Sequence, residues 1–84
     1  MRFTFSESAK KDIKKLDKKT AKRLKDKFIF WQDADDALAF AKSLTQHVGA
    51  THRFRLGVYR ILVRLEGQEL RVLRIRHRKD VYKK

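Results

Sequence analysis

Arginine recurs at alternate positions where the last third of the chain turns strand-like: Arg53 and Arg55 flank Phe54, and Arg60 follows Tyr59. Alternation along a strand puts Arg53 and Arg55 on one sheet face and Phe54 and Leu56 on the other. One face can then meet a phosphate backbone while its reverse builds the core. Arg76 or Arg78, near the end of the last strand, extends the same cluster. Guanidinium groups gathered without carboxylates repel one another unless an anion neutralises them. The cluster therefore reads as a phosphate-binding face, against the plainer alternative of arginines spread singly over a solvated surface.

His77, beside Arg78, is the side chain suited to general acid or base work near neutrality. Tyr82, at the C-terminal end, can stack on a base, donate its hydroxyl to a phosphate, or simply pack. His47 and His52 lack such company and read as loop or turn residues, with His52 near the rim. Tyr59 alternates in phase with Ile61, Val63 and Leu65 and is assigned to the core, as are Phe28 and Trp31. Asp33, Asp35 and Asp36 are explained by an acidic helix start more simply than by a magnesium site. No Gly-rich phosphate loop, metalloprotease helix motif or serine–histidine–aspartate set is present. Without cysteine, disulfides, thiolate chemistry and Cys-based zinc sites are excluded. No cofactor and no metal is expected.

The formal net charge is +13 over 84 residues, which predicts attraction to polyanions: DNA, RNA, the ribosome or an acidic protein partner. Residues 1–30 carry 11 Lys/Arg against 4 Asp/Glu, mostly lysine, whereas residues 51–84 carry 11 against 3, eight of them arginine. Lysine is a hydrated point charge, and arginine is a planar fork matched to phosphate. The lysines are read as solubility and steering, the arginines as the site. No apolar run approaches membrane-spanning length, and the simplest reading is a soluble cytoplasmic protein of one domain, 1–84.

Residues 2–6 alternate as a short strand with Phe3 and Phe5 on the core side, and Ser6 followed by Glu7 predicts a helix start. Ala9, Ile13 and Leu16, then Ala21, Leu24, Phe28 and Trp31, recur at helical spacing and predict a helical hairpin joined near 18–20. Ala37, Leu38, Phe40, Ala41 and Leu44 suggest a third, shorter helix. From Thr51 the period becomes 2, giving strands over 53–56, 59–65 and 69–76, with Gly57 as a bend or bulge and 66–68 as a tight turn. The expected class is α+β, in the order β-α-α-β-β-β: an N-terminal strand, a helical hairpin and a three-strand antiparallel meander forming one sheet covered by helices.

With these elements in place, the chain resembles the RelE/ParE superfamily of toxins from type II toxin–antitoxin systems. The resemblance runs from the opening strand through Lys15-Leu16-Asp17 and Ala41-Lys42-Ser43-Leu44. It continues over Arg53-Phe54-Arg55-Leu56-Gly57-Val58-Tyr59-Arg60-Ile61 and closes with Ile75-Arg76-His77-Arg78-Lys79-Asp80-Val81-Tyr82. It implies a RelE-like fold and a cognate antitoxin whose acidic or amphipathic segment covers the basic surface. Contact with operator DNA would come only through that antitoxin. The RelE branch implies a ribosome-dependent mRNA endoribonuclease that inhibits translation: the ribose 2′-hydroxyl attacks the adjacent phosphorus without a metal. On that model Arg60 and Arg78 hold the scissile phosphate, while Arg53, Arg55 and Arg76 bind RNA. His77 is general acid or base, and Tyr82 stacks or orients. The chain departs from the pattern in lacking a glutamate base, and in carrying arginine where one well-known pattern has lysine. The ParE branch implies a DNA gyrase poison instead, and a non-catalytic basic nucleic-acid-binding module is a third reading.

Overall fold

The computed structural model describes residues 1–81, with side chains described through Lys79; Tyr82 lies outside the described residues. The chain opens with β1 (Arg2–Phe5), whose alternation buries Phe3. Ser6 ends the strand and starts the first helix: its Oγ accepts from the Ala9 amide at 3.0 Å and donates to the Leu73 carbonyl at 2.9 Å. Helix α1 (Glu7–Lys14) therefore begins already tied to the last strand. Tight bonds from the Lys15 and Leu16 amides to the Asp12 and Ile13 carbonyls close it. Helix α2 (Lys18–Asp33) follows from Asp17 as N-cap, so the hairpin joint falls at 15–17, slightly before the expected 18–20.

The expected third helix is only a 3-10 turn, Ala37–Phe40, followed by a two-residue strand, β2 (Lys42–Ser43). Ala37 is buried, but Phe40 is 49% exposed, so no continuous apolar stripe exists to hold an α-helix there. The segment instead extends along the sheet edge, and the Leu44 amide reaches the Thr51 carbonyl at 2.9 Å.

The remaining strands are β3 (His52–Leu56), β4 (Tyr59–Glu66) and β5 (Glu69–His77), followed by one helical turn, α3 (Arg78–Val81). Gly57 is not a bulge within a strand: with φ of 58° it opens the two-residue turn pairing Leu56 with Tyr59. A positive φ at that place is what a twisted hairpin requires and what glycine adopts without strain. The sheet order is β1-β5-β4-β3-β2, antiparallel except for β1, which lies parallel to β5. The α+β class and the helix-covered sheet are as expected, with β2 as an added edge.

The core lies between the sheet and the two helices. Trp31 and Phe54 stack with ring centroids 4.5 Å apart, Phe3 lies 5.0 Å from Phe28, and Leu24, Ile61, Val63, Leu70 and Val72 fill the rest. Tyr59 is partly buried against this cluster. No helix among the described residues is long and apolar enough to cross a membrane.

A register shift decides what the opposite face carries. Val63 pairs with Val72, but the next residue back on β4, Leu62, pairs with Arg74, leaving Leu73 as an extra residue. Leu70 and Val72 point to the core; strict alternation would send Arg74 and Arg76 after them. The bulge reverses the phase. Ile75 takes the core position, and Arg74 and Arg76 pass to the open face.

Candidate nucleic-acid interface

The open face can be read rung by rung from the strand register. At the turn end, Glu66 pairs with Glu69, which pairs with Arg2; next come Arg64, Arg71 and Thr4. Then Arg53, Leu62 and Arg74 share a rung with Lys42, and the last full rung is Arg55, Arg60 and Arg76. Both glutamates are engaged at their own end: Glu66 with Arg64 at 2.7 Å and Glu69 with Arg2 at 3.7 Å. Six residues of β4, about 20 Å at ~3.3 Å per residue, separate Glu66 from Arg60. Directly opposed side chains in a sheet stand about 5 Å apart, and like charges so placed destabilise it. The Arg55–Arg60–Arg76 row thus gathers three arginines on one rung of the open face.

Arg53, Arg55, Arg60 and Arg76 are therefore brought to one face. Arg78 follows at the end of β5, where its amide donates to the Val58 carbonyl at 2.7 Å and fastens the strand end to the β3–β4 turn. In the same turn, Arg55 Nε donates to the Gly57 carbonyl at 3.4 Å. Arg64, Arg71 and Arg74 were not singled out from the sequence. The first lies four residues from Arg60 and so in the same strand phase, and Arg74 was concealed by the bulge.

His77 is not with them. It pairs with Tyr59 on the helix-covered side, where the two rings meet edge to face at 5.3 Å. Its Nδ1 accepts from the Lys79 amide at 3.0 Å, which leaves Nε2 as the protonated nitrogen of the neutral ring. The ring can therefore donate from Nε2 while Nδ1 is occupied. His52 shares the core-side phase with Phe54 and bonds Thr51 Oγ1 through Nδ1 at 2.9 Å. His47 lies exposed in the 44–51 loop. Tyr82, the remaining candidate, lies outside the described residues. Among the described residues no group of three or more His, Cys, Asp or Glu side chains gathers as metal ligands.

The bulged strand is held by one buried acid. Asp12 of α1 accepts from Arg74 Nε at 2.9 Å and Nη2 at 3.2 Å, and from the Ile75 amide at 2.9 Å. Burial raises its pKa, but the Arg74 fork, the Ile75 amide and the nearby Lys15 charge together outweigh burial and hold it below the ordinary carboxylate value. Helix α1 thus covers the β5 edge beyond the end of β1 and fixes where Arg74 and Arg76 emerge.

A mixed sheet with a two-helix cover and a cationic open face defines a class before any relative is considered. The family model for the ParE toxin of the type II toxin-antitoxin system parDE matches residues 3–82, and the chain belongs to that family, within the RelE/ParE superfamily of toxins. Solved structures agree. The toxin–antitoxin complex RelBE2 of Mycobacterium tuberculosis is similar at 26% identity and a TM-score of 0.73, covering 90% of this chain and 95% of that one. The RelB–RelE antitoxin–toxin complex of Methanococcus jannaschii is similar at 25% identity and a TM-score of 0.75, covering 94% of each. The intact E. coli RelBE complex, at 19% identity and a TM-score of 0.66 over 88% of this chain and 92% of that one, shares the fold. No curated protein sequence matches the chain.

Proposed function

We propose that this type II toxin is a ribosome-dependent mRNA endoribonuclease, and that a cognate antitoxin with an acidic or amphipathic segment covers its basic surface in the resting state. The observation that carries the reading is the Arg55–Arg60–Arg76 row, three guanidinium positions in register across three strands. Planar forks at strand spacing suit successive phosphate oxygens, and the charge that develops on a phosphorane is what such donors stabilise. In the reaction the 2′-oxygen bonds to phosphorus and the bond from phosphorus to the 5′-oxygen breaks. The products are a 2′,3′-cyclic phosphate and a 5′-hydroxyl, so one proton leaves the nucleophile and one reaches the leaving oxygen.

Arg60 and Arg78 are assigned to the scissile phosphate, with Arg55 and Arg53 stabilising the phosphorane and Arg76 holding the strand. Tyr82 keeps its assignment as a stacking or orienting residue. His77, expected as acid or base, faces the helix side and is not assigned to the row. A guanidinium stays charged and shuttles protons poorly, so the row supplies electrostatics without acid–base chemistry. Dependence on the ribosome follows: alignment of the 2′-hydroxyl must come from the decoding site, where positioning alone lowers the barrier substantially.

Primer extension on mRNA in programmed ribosomes tests the reading. A cut within the A-site codon, absent from naked mRNA, is expected. The second reading is the gyrase poison that resemblance to the ParE branch implies; the family model that matches is that of a ParE toxin. Folded, antitoxin-binding protein that cuts no ribosomal mRNA but traps cleaved gyrase–DNA complexes would establish that one instead.

A further inference from the structure

The arginine row ends at a cleft. On the outer edge of β5, past α1, a cavity of about 190 Å³ is lined by Lys15, Tyr59, Arg76 and His77, with the Asp12–Arg74 pair in its wall. Its chemistry differs from that of the open face. Both oxygens of Asp12 are engaged by Arg74 and the Ile75 amide, so the one acid among the described lining residues is balanced within the wall. What remains to a visitor is a set of donors: the exposed Lys15 ammonium, the Arg76 guanidinium and the Nε2–H of His77, whose Nδ1 is held by Lys79. The Tyr59 ring backs the imidazole and fixes its plane. Arg76 belongs both to this cleft and to the row, so an extended strand crossing Arg55, Arg60 and Arg76 is delivered to the cleft as it leaves the sheet.

We propose that this cleft is a second phosphate subsite, in which Lys15, Arg76 and His77 hold the phosphodiester of the RNA strand next to the one on the open face. The proposal rests on the reading of the row as an RNA site. It makes Lys15, a helix-end lysine otherwise indistinguishable from its neighbours, a substrate-binding residue, and His77 a phosphate ligand.

The test is binding of a non-cleavable 2′-O-methyl RNA hexamer to the full chain, followed by fluorescence anisotropy across a series of salt concentrations. Each single-strand phosphate contact contributes about 0.7 to the slope of log K against log salt. Lys15→Gln is expected to lower the slope by roughly that amount, while Lys11→Gln, on the same helix, leaves it unchanged. The hexamer is also expected to move the His77 Nε2–H resonance in the wild type, and inorganic phosphate alone to move it less. Equal slopes for the two lysine variants with an unmoved His77 resonance would overturn the subsite, as would absence of hexamer binding. A hexamer no better than free phosphate at His77 would make the cleft a general anion site and overturn the RNA assignment. The ribosomal primer-extension assay reports on the proposed activity separately, so an unchanged Lys15→Gln slope beside a wild-type A-site cut discards the subsite alone.

Discussion

Asp12 and Arg74 lie 62 positions apart and meet in a two-point fork, Nε to Oδ2 at 2.9 Å and Nη2 to Oδ1 at 3.2 Å. The acid belongs to the first helix and the arginine follows the bulged residue Leu73. Because Asp12 also takes the Ile75 amide, one carboxylate satisfies a strand edge and fixes the register after the bulge. The open face therefore depends on a contact that a residue of the first helix makes at the edge of β5.

Asp12→Ala is expected to destabilise the fold by about 2 kcal/mol, because the Ile75 amide is left buried without its acceptor and Arg74 loses a charged partner. The Arg74 side chain is 43% exposed, which keeps the figure at the low end for a partly buried pair. For a chain of this size the loss lowers Tm by roughly 10 °C. Fluorescence of Trp31, the single tryptophan and 2% exposed, follows the unfolding. An unchanged Tm would show that α1 holds β5 without this contact.

Acid should expose the same contact. The Asp12 carboxyl has a lowered pKa in the folded state, so its stabilisation is fully present above the ordinary aspartate value of about 3.9 and is lost as pH falls through the folded pKa. As pH falls below about 4 the urea midpoint of the wild type is expected to fall more steeply than that of Asp12→Asn. Parallel curves would assign the acid sensitivity to other groups.

Deleting Leu73 removes the extra residue and tests the bulge directly. With Leu73 gone Arg74 follows Val72 directly, so plain alternation keeps Arg74 and Arg76 on the open face and Ile75 and His77 in the core phase. The deletion therefore removes the extra residue without reversing either face, and a cooperative Trp31 transition is expected to survive. Loss of that transition would mean that the bulge itself, and not only the phase it sets, holds β5 in place.

Much of this was legible from periodicity. Phe3, Phe54, Ile61 and Val63 alternate with polar residues, Leu24, Phe28 and Trp31 repeat at helical spacing, and each buried stripe was where its period put it. Arg53, Arg55 and Arg60 could be placed on one face for the same reason. Periodicity fails where the period breaks. The adjacent pair Val72-Leu73 is the local trace of the bulge, yet a single extra residue is settled by cross-strand pairing and by Asp12, which lies far off in sequence. The side to which His77 turns was hidden by that phase change: its ring meets Tyr59 on the helix side, where it borders the same cleft as Arg76. The strand at Lys42 exists only because Arg53 and His52 offer an edge, a signal absent from residues 37–44 themselves.

The arginine row makes the sharpest functional prediction, because position on the face, not charge alone, should decide activity. Arg60 stands in the row, whereas Arg64, four residues along the same strand and on the same face, stands two rungs from it, beside Glu66. Arg60→Ala should therefore cut ribosomal mRNA roughly 100-fold or more slowly, the cost of one preorganised donor to a developing oxyanion. Arg64→Ala, which removes the same formal charge, should fall within a few-fold of wild type. Arg60→Lys should recover only part of the loss, since an ammonium restores the charge without the planar fork. Single-turnover primer extension at saturating toxin reads the chemical step apart from ribosome binding. Equal losses for Arg60→Ala and Arg64→Ala would mean that the face acts only through its net charge, and would remove the argument for a catalytic row.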